Sequence, residues 1–264
     1  MVKAAGERDL LIVVDVGNTT TVFGVYRGDQ LVASFRLSTD TERTADEYGA
    51  MLLPLFSRAG LQPAAASAIV VSSVVPPLNL TLTRLSTEFF GRKPTYVEPG
   101  IRTGMPIRYD HPAEVGADRI VNAVAARELY GAPVIVVDFG TATTFDIVNA
   151  AGEYAGGIIA PGILISAEAL FAHASRLYRV DVRKPAELVG RTTAAAMQAG
   201  IYYGYIGLVD GILERLLAEL GEMREIVATG GQAELIASGS RYLRRVEPEL
   251  TLTGLKLIHD RNRP

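Results

Sequence analysis

A pattern of residues that could hold a phosphate occurs twice in this chain. Leu11–Thr21 and Val134–Thr144 each consist of an apolar β-type run, an aspartate, a glycine and a series of hydroxyl residues. A glycine such as Gly17 lets the backbone approach an anion, and turn N–H groups can donate to phosphate oxygens. Asp15 or Asp138, at the end of its apolar run, could hold a cation beside the phosphate. Two such turns facing one cleft would bind a nucleotide from both sides.

A simpler interpretation exists for either copy alone. Asp-x-Gly-x-Thr is also a common hairpin turn, in which the Asp and Thr side chains only satisfy backbone groups. Duplication of a whole structural unit explains both copies at once. Each turn is followed by a second apolar run, Val22–Tyr26 or Phe145–Val148, so a strand, a polar turn and a strand are predicted in each half.

The composition excludes several classes of protein. The chain has 264 residues, of which 48% are hydrophobic, which suits two domains of ordinary size. A net charge of −3 with scattered basic residues predicts no nucleic-acid binding. With no cysteine there is no disulfide or thiol chemistry, and His111, His173 and His259 lack the spacing of a zinc site.

Nothing in the sequence suggests a membrane protein. No apolar run reaches the roughly 18 residues of a membrane span. The start of the chain, Met1–Asp9, is polar and charged and has no apolar segment of the signal-peptide type. We therefore expect a cytoplasmic protein without membrane contact.

The order of predicted elements indicates a duplicated α/β fold. We predict strands at 31–37, 69–75, 95–97, 134–137, 154–159 and 226–228, and helices at 45–59, up to 90, 118–130, 163–174 and 193–220. Each half thus contains three meandering strands followed by strand–helix units, which predicts a mixed sheet flanked by helices, built twice. The Pro- and Gly-rich stretch 98–114 connects the halves, so the predicted domains are 1–115 and 116–264.

Five motifs in one order carry a family resemblance. They are Asp-Val-Gly-Asn-Thr at 15–19, Gly-Ala-Asp-Arg at 116–119, Asp-Phe-Gly-Thr-Ala-Thr-Thr at 138–144, Gly156-Gly157 before Pro161-Gly162, and Thr-Gly-Gly-Gln at 229–232. From about Leu10 to Leu257 the chain resembles type III pantothenate kinase, of the actin, sugar kinase and heat-shock ATPase superfamily. The resemblance implies two actin-like, ribonuclease H-like domains. The second would carry the adenosine turn and the dimer helices.

The resemblance also implies an activity, namely ATP-dependent phosphorylation of the 4′-hydroxyl of pantothenate, the first step of coenzyme A synthesis. Mg²⁺ and a monovalent cation, K⁺ or NH4⁺, would be required. Asp118 matches the proton acceptor, at a predicted helix start that could keep its carboxylate ionised. The residues alone favour an N-cap role for Asp118 over a catalytic one.

Further site residues follow from the same resemblance. The pantothenate site would consist of Tyr109, Gly116, Ala117, Asp118, Arg119 and Thr193. Arg119 would pair with the substrate carboxylate, although alone it reads as a solvated helix arginine. Tyr109 could instead be a loop aromatic that covers core. Thr193 would reach the substrate from the partner subunit. A helix cap is the simpler role of Thr193, and both roles could hold together. Thr192 could make the substrate contact in its place.

The nucleotide and cation sites are implied in the same way. ATP would contact Asp15, Val16, Gly17, Asn18, Thr19, Thr20, Thr21, Val22, Thr141, Gly230 and Gly231. Asp15 would position Mg-ATP, and Asp138 would bind the monovalent cation. Some relatives carry a lysine after the first turn, whereas Thr20, Thr21 and Val22 follow it here. Charge neutralisation would then depend on metal ions and backbone N–H groups.

Alternatives remain open at this point. The small and tyrosine-rich segment Ala194–Tyr205 fits helix packing in a homodimer with a shared active site, or a monomer core. A sugar kinase or a phosphatase of the superfamily would keep the paired turns but does not account for Gly-Ala-Asp-Arg. Relatives described as Bvg accessory factors would be non-enzymatic regulators, which need no trio of carboxylates such as Asp15, Asp118 and Asp138.

Overall fold

The computed structural model describes residues 9–174 and 177–263 as two compact units. Unit 1 comprises the chain up to Gly104, His111–Val124 and the chain from Thr251 onward, and unit 2 comprises Met105–Asp110 and Ala125–Leu250. The polar start on which the expected location depended lies outside the described residues except for Asp9. The predicted boundary between residues 115 and 116 stays a prediction.

Unit 1 is built on a five-stranded mixed sheet. Its elements are β1 (Leu10–Val16), β2 (Thr20–Arg27), β3 (Gln30–Ser38), α1 (Ala45–Arg58), β4 (Ala66–Ser73), α2 (Asn79–Phe89) and β5 (Thr95–Tyr96). The strand order is β3-β2-β1-β4-β5; β1, β2 and β3 are antiparallel neighbours, and β4 and β5 join in parallel. β1 is central because its apolar run is buried on both faces.

Unit 2 repeats this sheet. Its elements are β6 (Val134–Phe139), β7 (Ala142–Val148), β8 (Tyr154–Pro161), α4 (Ile163–His173), α5 (Thr193–Leu220), β9 (Glu225–Thr229), α6 (Ala233–Ala237) and β10 (Arg245–Val246). The order β8-β7-β6-β9-β10 has the same sequence of antiparallel and parallel neighbours as in unit 1. The remaining α-helices of the described residues are α3 (Ala117–Tyr130) and α7 (Leu250–Arg261). The prediction of a mixed sheet flanked by helices, built twice, is confirmed.

The predicted elements are present, with shifted ends. The fourth strand was expected at 69–75 but forms at Ala66–Ser73, and the predicted limits of α5 agree with the structure. Three elements beyond residue 232 were not predicted, namely α6, β10 and α7. None of the helices among the described residues has the length and apolar composition needed to cross a membrane.

Alternation along the central strands directs their aspartates away from the main cores. Val14 and Val16 belong to the core that β1 shares with α1 and α2, and Val137 and Phe139 belong to the core that β6 shares with α5. Successive side chains of a strand point to opposite faces. The aspartate between each pair, at position 15 or 138, therefore lies on the opposite face of its sheet.

The two turns after β1 and β6 are held in the same way. In the first turn the Gly17 N–H donates to the Thr20 carbonyl at 3.0 Å, and in the second the Gly140 N–H donates to the Ala142 carbonyl at 3.0 Å. The second turn is therefore one residue shorter.

The residue that follows the third strand of each sheet supports the turn from outside. The Thr39 N–H donates to the Thr19 carbonyl at 3.0 Å, and the Gly162 N–H donates to the Thr141 carbonyl at 3.0 Å. A three-strand meander is thus required to hold each turn.

Space at Gly162 provides a test of this arrangement. Its φ of −67° suits any residue, but a Cβ would lie 2.6 Å from the Gly140 carbonyl oxygen and overlap that of Thr141. We expect Gly162→Ala to lower the free energy of unfolding by about 1–3 kcal/mol, as overpacking does. Denaturant unfolding followed by circular dichroism measures this.

Gly140→Ala is the matched control, because a Cβ there would meet only the Ala142 carbonyl oxygen at 3.5 Å and the Asp138 carboxylate at 3.9 Å. Its φ is not positive. We expect its free energy of unfolding to stay within about 0.5 kcal/mol of wild type. Equal losses in the two variants would contradict this account of the turn.

Candidate active site

The strand-end carboxylates occupy equivalent places in the two sheets. Asp15 lies opposite Val22 on β2 and Ser72 on β4. Asp138 lies opposite Thr144 on β7 and Thr229 on β9. Both aspartates are partly exposed. Each unit therefore presents one carboxylate beside a polar turn, as the repeated sequence pattern predicts.

The first turn exposes some predicted nucleotide contacts and buries others. Asn18 and Thr19 are exposed, whereas Val16 and Thr21 are fully buried. The Thr21 hydroxyl is 2.9 Å from the Thr39 hydroxyl, which donates to the Gly17 carbonyl at 2.7 Å. Thr21 thus supports the turn from the core side, and any contact of Val16 or Thr21 with a nucleotide would fall to the main chain.

The second turn has a comparable support. Thr143 is fully buried and hydrogen-bonds to the Tyr205 hydroxyl of α5. Tyr205 in turn donates to the Pro161 carbonyl at 2.9 Å. Thr143 pairs with Phe139 just as Thr21 pairs with Val16, so these two threonines are the equivalent residues. Thr141 lies in the turn itself and is partly exposed.

The glycine pair after β9 makes room for Asp138. Gly230 has a φ of 91°, in the region that favours glycine, and a Cβ there would lie 2.5 Å from Asp138 Oδ1. The Asp138 carboxylate therefore packs directly against this turn. A Cβ at Gly231 would meet nothing within 4 Å.

Asp118 lies in the first turn of α3, in unit 1. The Arg119 N–H donates to Asp118 Oδ1 at 2.8 Å. A Cβ at Gly116 would lie 2.5 Å from the same oxygen, so the glycine two residues earlier is needed to admit the carboxylate. This gives the Gly-Ala-Asp-Arg motif a steric reason.

Burial raises the pKa of Asp118, and the N–H and guanidinium of Arg119 offset this only in part. The N–H groups at the helix start do favour the charged carboxylate, as expected, but burial has the larger effect on the direction of the pKa. A carboxylate with a raised pKa is a stronger base, and one matched more closely to neutral pH.

Arg119 is buried, with 7% of its surface exposed. Its interpretation as a solvated helix arginine is therefore wrong. Charged side chains are seldom buried unless they meet an opposite charge. Within unit 1 this guanidinium lies next to Asp118 in the chain and lowers the pKa of that carboxyl.

Tyr109 is held beside β8 in unit 2. The Arg108 N–H donates to the Tyr154 carbonyl at 2.8 Å, and the Tyr154 N–H donates to the Pro106 carbonyl at 2.9 Å. The Tyr109 and Tyr154 ring centroids are 6.5 Å apart, and Tyr109 is 38% exposed. A ring half open to solvent on a hydrogen-bonded segment is suited to contact a ligand.

The start of α5 separates the two candidate threonines. Thr192 is the N-cap, and its hydroxyl accepts from the Ala195 N–H at 3.2 Å. Thr193 is the first helical residue and is exposed. The capping role considered for Thr193 therefore belongs to Thr192.

Sequence reasoning missed two buried polar residues near Asp138. Asp146 on β7 and Tyr154 on β8 are fully buried, and the Tyr154 hydroxyl donates to Asp146 Oδ1 at 2.8 Å. The alternation of side chains along β7 could have identified Asp146, because it puts Thr144 and Asp146 on one face of the strand. Within the described ranges no three His, Asp or Glu side chains cluster as a metal site.

The chain is similar to one family over most of its length. The family model described as type III pantothenate kinase matches residues 11–215. A type III pantothenate kinase of Geobacter sulfurreducens is 56% identical over 254 residues, which cover 96% of this chain and 100% of the relative.

Two solved structures share the fold. A Baf family protein of Campylobacter jejuni, described as a transcriptional activator, has a TM-score of 0.57 at 20% identity, covering 95% of this chain and 98% of that one. Component A of the (R)-2-hydroxyglutaryl-CoA dehydratase of Acidaminococcus fermentans has a TM-score of 0.54 at 14% identity, covering 94% and 95%. Both likenesses concern the fold alone, and the predicted actin-like class is confirmed.

The raised pKa of Asp118 makes its charge unfavourable for stability at neutral pH. A carboxyl whose pKa is raised by folding favours the native state below its unfolded pKa, and this contribution is lost as pH rises through the folded pKa. Because Asn keeps an acceptor for the Arg119 N–H but carries no charge, we expect Asp118→Asn to melt at a higher temperature than wild type at pH 7.

The difference should shrink as the pH falls toward the ordinary pKa of an aspartate, where the wild-type carboxyl is neutral as well. Differential scanning calorimetry across this pH range measures both effects. A lower melting temperature for Asp118→Asn at pH 7 would contradict the dominance of burial.

Proposed function

Because this chain belongs to the type III pantothenate kinase family, we propose that it transfers a phosphoryl group from ATP to the 4′-hydroxyl of pantothenate, the first step of coenzyme A biosynthesis. The observation that carries the proposal is the 56% identity to a relative of that name over its full length. The fold alone would not distinguish between activities. We also propose that the enzyme works in the cytoplasm, where ATP is available.

The alternative functions are not favoured. A sugar kinase or a phosphatase of the superfamily would share the paired turns, but the full-length match is to pantothenate kinases. The likeness to the Campylobacter jejuni protein is at 20% identity and extends to the fold only. A non-enzymatic Bvg accessory factor would not need the strand-end carboxylates, the Asp118 carboxylate or the buried Arg119.

In this proposal Asp118 removes the proton of the pantothenate hydroxyl as the phosphoryl bond forms. Its raised pKa and its hydrogen bond from the Arg119 N–H support that role, since a base needs both proton affinity and a fixed position. The Arg119 guanidinium would bind the pantothenate carboxylate with its planar donors. Gly116 and Ala117 would keep the approach to Asp118 open, and Tyr109 would contribute a wall of the pocket.

The two polar turns would hold the triphosphate through main-chain N–H groups and hydroxyls. Asp15 would position Mg-ATP, Thr141 would contact the phosphates, and Gly230 and Gly231 would lie against the adenosine. These roles extend to the remaining residues of the first turn, namely Val16, Gly17, Asn18, Thr19, Thr20, Thr21 and Val22.

Asp138 is proposed to bind K⁺ or NH4⁺. The donor set fits a hard monovalent cation, because Asp138 lies opposite Thr144 on the paired strand and its carboxylate packs against Gly230, where a side chain would intrude. When bound, the divalent and monovalent cations would neutralise the charge on the phosphates, which is the main requirement of phosphoryl transfer.

A homodimer is proposed from the surface of unit 2. Large apolar side chains are exposed on β8, α4 and α5, among them Ile159 at 63%, Leu164 at 50% and Tyr203 at 37%. A contiguous apolar area formed by such side chains would mark a protein–protein contact. Thr193, exposed at the start of α5, would then reach the pantothenate site of the partner subunit.

The proposed activity is tested by a coupled assay of ADP release with pantothenate, run with potassium and with sodium. Wild type should release ADP only when pantothenate is present. Asp118→Asn should lower kcat by about 100-fold or more, because the general base is lost. Since this variant is expected to melt at or above the wild-type temperature, unfolding would not explain the loss. Near-wild-type turnover would remove Asp118 from the role.

Subunit mixing tests the shared site. Chains carrying Asp118→Asn are mixed with chains carrying a strongly impairing substitution of Thr193. In a mixed dimer with sites built from both subunits, one site carries both lesions and the other carries neither. Activity should then rise above that of either parent. If labelled chains exchange and activity does not recover, each site is built within one subunit.

A further inference from the structure

Four polar side chains form a row on one face of the sheet in unit 2. Ile135 and Val137 of β6 and Phe145 of β7 belong to the core shared with α5. Because side chains alternate along a strand, the residues between them face the other way. The register then aligns Asp138 with Thr144, and Tyr154 with Val148, on that opposite face. We call Asp138, Thr144, Asp146 and Tyr154 the polar row.

Asp146 lies at the centre of the polar row and is fully buried. Its Oδ1 accepts from the Tyr154 hydroxyl at 2.8 Å, and its Oδ2 accepts from the Thr144 hydroxyl at 2.9 Å. The two hydroxyls are the donors in these bonds, so both hydroxyl protons point toward Asp146.

The direction of the Thr144 proton has a consequence for Asp138. A threonine hydroxyl has one proton, and Thr144 donates that proton to Asp146 in a hydrogen bond. Thr144 lies directly opposite Asp138, at a spacing where side chains on paired strands interact. With its proton held on the Asp146 side, Thr144 offers only lone pairs toward Asp138. An oxygen lone pair beside a carboxylate suits a cation and not a hydrogen bond.

The geometry points to Asp146 as a positioning residue of the monovalent-cation site. Through Thr144 it fixes the direction of one hydroxyl, so that the Thr144 oxygen and the Asp138 carboxylate can both face K⁺ or NH4⁺. This inference rests on the cation role proposed for Asp138. Residues that orient metal ligands commonly contribute about 10- to 100-fold to affinity.

The second hydrogen bond of Asp146 provides a matched control. Tyr154 approaches the other carboxylate oxygen, and its backbone holds the segment that carries Tyr109. Loss of the Tyr154 hydroxyl removes a buried partner of Asp146 but leaves the Thr144 bond in place. Tyr154→Phe thus perturbs the same carboxylate without changing the polarity of Thr144.

Asp146→Asn is the test variant. The Asn carbonyl can still accept from Tyr154, but its amide nitrogen must donate where Oδ2 accepted. Thr144 would then turn a lone pair toward Asn and its proton toward Asp138. We expect the potassium concentration for half-maximal activation to rise about 10- to 100-fold. At saturating potassium, the KM values for ATP and pantothenate should change less than about twofold.

A binding readout separates the cation site from catalysis. A ligand that binds only the native state raises the melting temperature. The melting temperature of wild type should therefore be higher in KCl than in NaCl of equal ionic strength. This potassium-specific increase should be lost in Asp146→Asn and in Asp138→Ala, and kept in Tyr154→Phe.

Thr144→Val keeps the proposal testable if Asp146→Asn does not fold. Valine matches the shape of threonine at this partly exposed position but has no oxygen. It should weaken potassium activation as Asp146→Asn does. The double variant should be no worse than Thr144→Val, because Asp146 acts through that hydroxyl.

The outcomes decide separately on the cation inference and on the proposed function. Unchanged potassium activation in Asp146→Asn or in Thr144→Val would overturn the inference, as would equal weakening in Tyr154→Phe. No potassium-specific stabilisation of wild type would overturn it too, even if pantothenate kinase activity is present. If wild type releases no ADP with pantothenate, the proposed function fails, and the KCl melting series still decides whether Asp146 positions a cation site.

Discussion

The hydrogen bond that supports each strand-end turn from the end of the third strand is the contact on which the remaining structure depends. A carboxylate at the end of a central strand is useful only if the turn beside it keeps one conformation. In both units the N–H of the residue after the third strand donates to a turn carbonyl at 3.0 Å, from Thr39 in one case and from Gly162 in the other. The meander of three antiparallel strands is thus required to hold the turn, and the fold cannot be reduced to a strand and a loop.

The two units meet this requirement with different side chains. In unit 1 the Thr39 hydroxyl also donates to the Gly17 carbonyl, and the buried Thr21 hydroxyl lies beside it. In unit 2 a glycine takes the place of Thr39, and Tyr205 of α5 supplies the hydroxyl that meets Thr143 and Pro161. Buried polar groups need hydrogen-bond partners. The equivalent buried threonines, Thr21 and Thr143, obtain theirs from different parts of the two units.

Burial of charge is the cost that accompanies the proposed chemistry. Asp118 is held against its own helix start with a raised pKa, Arg119 beside it is buried, and Asp146 is fully enclosed with two hydroxyl partners. None of these groups improves stability as an apolar residue would. Their presence is understandable if a base, a carboxylate-binding guanidinium and a fixed hydroxyl are what the site needs, since functional sites commonly oppose stability.

Much of the architecture and the outline of the candidate site could be predicted from the sequence by itself. Apolar runs that end in polar residues predicted β1 and β6, because a strand buried on both faces is apolar along its length. Helical spacing of apolar residues predicted α5. The repeated Asp-x-Gly pattern identified Asp15 and Asp138. α7 was missed although its buried leucines, such as Leu252 and Leu255, follow a helical spacing.

Only the tertiary structure decided which groups each side chain meets and how deeply each side chain is buried. It assigned the cap to Thr192, buried Arg119 and paired Asp146 with Tyr154. It also set the direction in which the pKa of Asp118 moves, because desolvation depends on everything packed around a group. Local sequence specifies which residues a strand carries, whereas the packing of strands and helices specifies what each residue meets.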